Sequence, residues 1–312
     1  MASSRSVVLA ALFANGAIAV LKFVGYLLTL SPAMLSETYH SISDTGNQVF
    51  LLIGLRYGEK SRSRAHPFGY GKAQFFYSFL VSVALFGVAG LESARHGYNA
   101  ILHPHARELA DPVLFGYQFP GVWVNYAVLI AAIVFEAWAL SKARANMKAQ
   151  IAEKGWSGYR EAFRKTSDVT VLTALTEDTI AMSGAGIALG GVWLSRYTGD
   201  PVYDAVAALL IGLMLMGFAI ALAWENKRLL LGESLPKDEE ARLRRVVDDF
   251  DSVEEIVDFR TIYFGPGQAM LAAEVVFGAD VDTGRIDDRI DDIEAAITAA
   301  NDSVTNIYIE PE

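Results

Sequence analysis

The chain has 312 residues, 53% of them hydrophobic, with a formal net charge of −10 and no cysteine. That apolar share is high for a water-soluble globule and points to a multi-span membrane protein, with lipid as its surroundings. The lack of cysteine excludes a disulfide framework, a thiolate metal site and a thiol nucleophile. No nucleic-acid partner and no cofactor are expected.

The opening stretch, "MASSRSVVLAALFANGAIAVLKF", has a weak basic start and no A-x-A site before a polar segment. It reads as a retained first span rather than a cleaved signal peptide. A span needs about 20 mostly apolar residues. Six windows qualify: 7–29, 33–56, 73–99, 118–141, 167–194 and 202–229. The first two are joined by a tight "TLSPAM" turn that puts Pro32 at a helix start, where its missing N–H costs nothing.

Lys/Arg bias in the short loops sets orientation. The 2–3 loop carries Arg56, Lys60, Arg62, Arg64 and Lys72; the 4–5 loop carries Lys142, Arg144, Lys148, Lys154, Arg160, Arg164 and Lys165. The opposite loops offer Arg107 and Arg196, with Arg95 near the end of the third span. The expectation is a multi-pass protein of the cell membrane with both termini cytoplasmic.

Charge divides the chain. From Glu233 to Glu312 there are 21 acidic and 7 basic residues, a net of −14, which leaves +4 for residues 1–232. Two domains follow: a six-span membrane domain, 1–232, and a soluble acidic domain, 233–312. In the second, "PKDEEARLRRVVDDF" has a helix-start signature and helical period. "VEEIVDFRTIYFG" and "AMLAAEVVFG" read as strands around a "PGQ" turn. "TGRIDDRIDDIEAAITAA" puts Ile286, Ile290, Ile293 and Ile297 on one helix face, and "VTNIYIEP" closes as a strand. The order α-β-β-α-β predicts a ferredoxin-like α+β sandwich.

Ionisable residues at bilayer depth are costly and mark function by default. In "SETYHSISDTGNQ", His40 and Asp44 lie at i and i+4 on one helix face, with Glu37 three residues before His40 and Asn47 seven after it. An imidazole and a carboxylate one turn apart can grip one divalent cation, and they can equally form a buried hydrogen bond that locks helix packing. Glu177 and Asp178 in the fifth span tip the balance. Adjacent carboxylates in hydrocarbon need a cation, protons or a water cavity. Asp44 and Asp178 each lie eleven residues into their windows, near the midplane. His40, Asp44, Asp178 and Glu177 are thus the expected metal ligands.

Other polar residues receive plainer readings. Lys22 and Glu92 lie at similar depth and are expected to form a buried ion pair. Glu136 is expected to cap or pair with a loop cation, and His66 to anchor a loop beside Pro67. His103 and His105 face the outer side as surface histidines. The basic 142–165 segment is expected to lie as a linker against anionic lipid.

"SETYHSISDTGNQ", "HPFGYGK" (His66 to Lys72), "DPVYDAVAALLIG" and "LLLGES", in this order, resemble the cation diffusion facilitator transporters. With six spans and a ferredoxin-like tail, the resemblance covers nearly the whole chain. It implies a homodimeric secondary transporter, not an enzyme, that exports divalent cations, zinc foremost, from the cytoplasm in exchange for protons. The family's usual fifth span carries His-x-x-x-Asp; here Ala174 stands four residues before Asp178. Glu177 is the expected substitute, as in a subgroup with a Glu-Asp pair. One imidazole among carboxylates is a harder donor set, which brings Mn²⁺, Co²⁺ or Fe²⁺ into range. All five histidines lie at or before residue 105, so a metal site in the tail would need carboxylates alone, such as Asp280, Asp282 or Glu310. The tail is expected to dimerise without sensing zinc. An intramembrane metallohydrolase lacks its H-E-x-x-H pattern, and a non-transporting scaffold is the remaining alternative.

Overall fold

The computed structural model describes residues 2–103, 113–114, 117–118, 120–165, 169–279 and 281–312; His105, Arg107 and Asp280 lie outside them. Helices α1 (Ala2–Thr29) and α2 (Pro32–Gly58) are followed by α3 (Lys72–Ala84), which runs through a π-helical turn at Leu85–Gly90 into α4 (Leu91–Leu102). A two-residue hairpin, β1 (Val113–Leu114) and β2 (Tyr117–Gln118), precedes α5 (Gly121–Lys154), α6 (Tyr159–Lys165), α7 (Val169–Thr198) and α8 (Val202–Leu231).

Taking α3 to α4 as one rod, six rods reach span length. Among the described residues, four of these are long and apolar enough to cross a membrane: Leu12–Thr29, Lys72–Leu102, Gly121–Glu153 and Val202–Leu231. The other two, α2 and α7, are the ones that carry the polar residues singled out above. Their polar load lowers the apolar signal in the places where ionisable groups are sited.

The helices differ from the windows in one respect. α5 does not stop near 141 but continues to Lys154, and α6 takes up Tyr159–Lys165, so most of the basic segment is helix. Residues 142–154 hold neither Gly nor Pro and are rich in Ala, Lys, Arg, Met and Gln, all strong helix formers. The helix ends where Gly155 takes the left-handed conformation, φ +66°, that a C-terminal cap favours.

The chain divides into two compact units, residues 1–53 with 77–224, and residues 54–76 with 225–312. In the first, buried Ala33, Met34, Leu85, Leu129, Ile211 and Leu215 belong to one core. Gly212 sits directly on the backbone of Ala94, and Gly90 leaves room for Met216, so α4 and α8 cross nearly backbone to backbone. α5 packs along α7 and α1, and Leu140, Ala143, Met147 and Leu175 form a second buried cluster.

The second unit holds α9 (Lys237–Asp248), β3 (Val253–Gly265), β4 (Gln268–Phe277), α10 (Thr283–Ala300) and β5 (Val304–Pro311), the predicted α-β-β-α-β order. β4 is central, antiparallel to β3 and parallel to β5, as a helical crossover through α10 requires. Alternate residues of β4, Ala269, Leu271, Ala273 and Val275, face a core with Leu243, Val247, Ile293 and Ile297. The 54–76 segment belongs to this unit. Phe68 meets Phe264 with ring centroids 6.4 Å apart, Arg62 donates to Asn306 Oδ1 at 3.0 Å, and Lys72 Nζ donates to the Leu230 carbonyl at 3.4 Å. His66 stacks on Tyr70 at 4.2 Å and pairs its backbone with Ser63, a loop anchor as expected.

Candidate metal centre

The polar stripe of α2 begins at a strained turn. Leu30 adopts φ +54°, Ser31 Oγ accepts from the Met34 N–H at 3.2 Å, and Asp204 Oδ1 accepts from the Ala33 N–H at 3.3 Å. These acceptors satisfy N–H groups that a helix start leaves free, and the carboxylate complements the positive end of the helix. The hydroxyls beyond the turn satisfy themselves locally. Ser36 donates to the Pro32 carbonyl (3.2 Å), Thr38 to that of Met34 (2.9 Å) and Thr45 to that of Ser41 (2.8 Å). Such hydroxyls need no other helix. Glu37, His40, Asp44 and Asn47 find no such partner on their own helix backbone.

Each finds a different situation. Glu37 and Lys22 form an ion pair at 2.6 Å with side-chain exposures of 0% and 1%. The expected pairing of Lys22 with Glu92 is therefore not formed: Glu92 is half-exposed beside Arg95, 3.7 Å away on its own helix. Depth was matched for Lys22 and Glu92, but the azimuth of a side chain around its helix decides what it meets. The second oxygen of Glu37, Oε1, is buried without a hydrogen-bond partner. A Cβ on Gly184 of α7 would come within 2.7 Å of that oxygen, so glycine is what lets α7 approach there.

His40 is 1% exposed. Its Nδ1 lies 3.5 Å from Asp44 Oδ1, near enough for charge to act but outside hydrogen-bond geometry, so both imidazole nitrogens are buried and unpaired. A buried polar atom without a partner carries a desolvation cost of about 1–3 kcal/mol. Asn47 donates to Glu177 Oε2 across a long 3.4 Å, joining α2 to α7.

Asp44, Glu177 and Asp178 are close enough to act on one another's charge, and Lys22 and Glu37 act on Asp44. The structure nonetheless keeps the four expected ligands apart: among the described residues no three His, Asp or Glu side chains are grouped so as to hold one ion. Glu177, rather than Asp178, is the fifth-span carboxylate that reaches an α2 side chain.

Glu136 of α5, buried, has Lys22, Asp44, Asp178 and Glu37 as its electrostatic neighbours. It lies within electrostatic reach of the same carboxylates, a neighbourhood its sequence position did not reveal; the available signal was a lone acid inside an apolar span. A cavity of about 340 Å³ on the α5 and α7 side is lined by Ser141, Arg144, Lys148 and Met182. Its two cations make it a poor resting place for a metal ion. In the tail, Asp282 serves as the N-cap of α10, accepting from the Gly284 N–H at 3.4 Å.

Residues 8–231 match the model of the cation efflux transmembrane domain. The chain is 30% identical over 277 residues to the human mitochondrial proton-coupled zinc antiporter SLC30A9, covering 89% of this chain and 46% of that protein. It is 25% identical over 281 residues to metal tolerance protein C4 of Arabidopsis thaliana (89% and 58%), and 25% over 250 residues to the cation-efflux pump FieF of Yersinia enterocolitica (79% and 72%). The chain spans about half the length of SLC30A9. With the domain match covering most of its length and a polar stripe on the helices that the resemblance singles out, the chain belongs to the cation efflux family.

Proposed function

We propose that this protein exports a divalent metal cation, zinc foremost, by proton-coupled alternating access, with the cargo held near the membrane midplane by His40, Asp44, Asp178 and Glu177. The observation that carries the reading is His40: a fully buried imidazole one turn from Asp44 with both nitrogens unpaired. A divalent cation supplies the partner that such a nitrogen lacks. Coordination needs a neutral imidazole and ionised carboxylates, so protons compete with the metal for the same atoms. Binding of either cargo then biases the exchange between states open to opposite sides. The relatives, a zinc antiporter and a cation-efflux pump by name, support the substrate class. The single nitrogen donor keeps Mn²⁺, Co²⁺ and Fe²⁺ in range.

The protein works as a homodimer of the cell membrane with both termini in the cytoplasm, and its tail dimerises without metal. Reconstituted vesicles given Zn²⁺, Mn²⁺, Co²⁺ and Fe²⁺ in parallel test the activity: metal uptake coupled to counter-flow of protons is expected, fastest for zinc. No metal-dependent proton flux for any of the four ions defeats the proposal. Orientation is tested separately in this cysteine-free chain. Ser61→Cys and Ser157→Cys are expected to be shielded from impermeant thiol reagents in intact cells, and Asp200→Cys to react.

A further inference from the structure

Lys22 and Glu37 lie one helix turn from His40, toward the α1–α2 turn, and the expected ligand set does not include them. Lys22 is the one fully buried lysine or arginine among the described residues. It contacts one oxygen of Glu37, at 2.6 Å, and leaves the other, Oε1, buried and unpaired. His40, three residues on and therefore on the same face of α2, also has both nitrogens unpaired. Gly184 brings α7 up to Oε1 with no side chain between them, and offers that oxygen no hydrogen-bond partner. An ion pair kept only to lock helices has no need of an unpaired oxygen one helix turn from an unpaired imidazole.

We propose that Glu37 Oε1 and His40 form a second, transient stop for the divalent cargo, with Lys22 as its tethered counter-ion. This rests on the transport reading above. With no cargo, the Lys22 ammonium neutralises Glu37 and the site carries no net charge. A divalent ion that moves from Asp44 toward Glu37, with His40 common to both stops, meets that ammonium at close range. Two cations then share one carboxylate, so the ion does not dwell there and passes on. Lys22 makes the stop a release station and prevents it from becoming a trap.

The test uses the purified full-length protein and Zn²⁺ as the probe. Lys22→Gln removes the counter-ion and leaves Glu37 free. It is expected to bind zinc about tenfold more tightly than the wild type at equilibrium dialysis, with the stoichiometry unchanged because His40 is common to both stops. In vesicles kcat and KM should fall together, by about tenfold, because cargo held more tightly leaves more slowly. The double variant Lys22→Gln/Glu37→Gln is expected to lose that gain in affinity. If Lys22→Gln is too unstable for dialysis, its melting temperature is compared with and without zinc. Zinc should raise it by more than it raises that of the wild type, and the double variant should lose the excess. A Lys22→Gln protein with wild-type zinc affinity, or with no excess stabilisation by zinc, overturns the second stop alone. A wild type that binds no zinc overturns both this inference and the transport reading.

Discussion

Residues 233–312 hold 21 of the chain's 36 acidic residues, while α2 and α7 together hold four: Glu37, Asp44, Glu177 and Asp178. In the tail, Asp287, Asp288, Asp291 and Asp292 of α10 stand exposed to water, and Arg289 meets Asp292 at 3.4 Å on the surface. Such pairs contribute little, typically up to about 1 kcal/mol. In the helices each carboxylate has to be accounted for: Glu37 by Lys22, Glu177 by Asn47, and Asp44 by its neighbours in charge. Acid density alone therefore marks a wetted surface, whereas an acid in apolar surroundings needs a partner, a proton or a cation. The tail is the richer in carboxylates and the poorer in chemistry.

The comparison breaks most readily at the two midplane aspartates. Asp44→Ala and Asp178→Ala are each expected to reduce metal transport in vesicles to background, with expression and dimerisation retained, because each would remove an anionic ligand of the proposed site. A charge lost from a merely structural pair would instead lower the amount of folded protein, and the surviving molecules would transport normally. His40→Asp is expected to be milder. It exchanges the site's nitrogen for oxygen, so some transport persists and the preference among the four ions moves from zinc toward manganese.

The tail supplies the opposite expectation. Asp287→Asn, Asp288→Asn and Asp291→Asn are each expected to shift tail stability in denaturant by no more than about 0.5 kcal/mol, with transport unchanged. The smallest effect concerns Tyr263. Burial, reinforced by Glu239, pushes its hydroxyl from 10.0 up to about 12. The raised value means that the folded tail favours the neutral phenol. Its contribution is fully present below pH 10 and is lost as pH rises from 10 toward 12. Ultraviolet titration against Tyr263→Phe should find the missing phenol ionising last.

Much of this was legible in the sequence, for reasons that can be named. Apolar runs of span length and the period of Ile286, Ile290, Ile293 and Ile297 report directly on burial, so the helices and the tail order followed. The π-helical turn at Leu85–Gly90 left no such trace, since Leu, Phe, Gly, Val and Ala suit an α-helix of that depth equally well. The length of α5 was hidden because a basic stretch without Gly or Pro looks like a linker when charge is weighed and like a helix when propensity is weighed; propensity prevailed. At the site, the i and i+4 spacing of His40 and Asp44 was readable from α2 alone. Which residues of other helices would face it was not. Lys22 turned to Glu37 and not Glu92, and Glu136 joined the carboxylate field, because both outcomes depend on the rotation of one helix against another.

The central claim is that His40 is the cargo's nitrogen ligand. X-ray absorption at the zinc edge on purified protein loaded with one zinc per chain, prepared without a histidine tag, tests it most directly. The account predicts a first shell of oxygen donors with a single imidazole, whose outer-shell scattering disappears in His40→Ala. An imidazole signal unchanged in His40→Ala would contradict it.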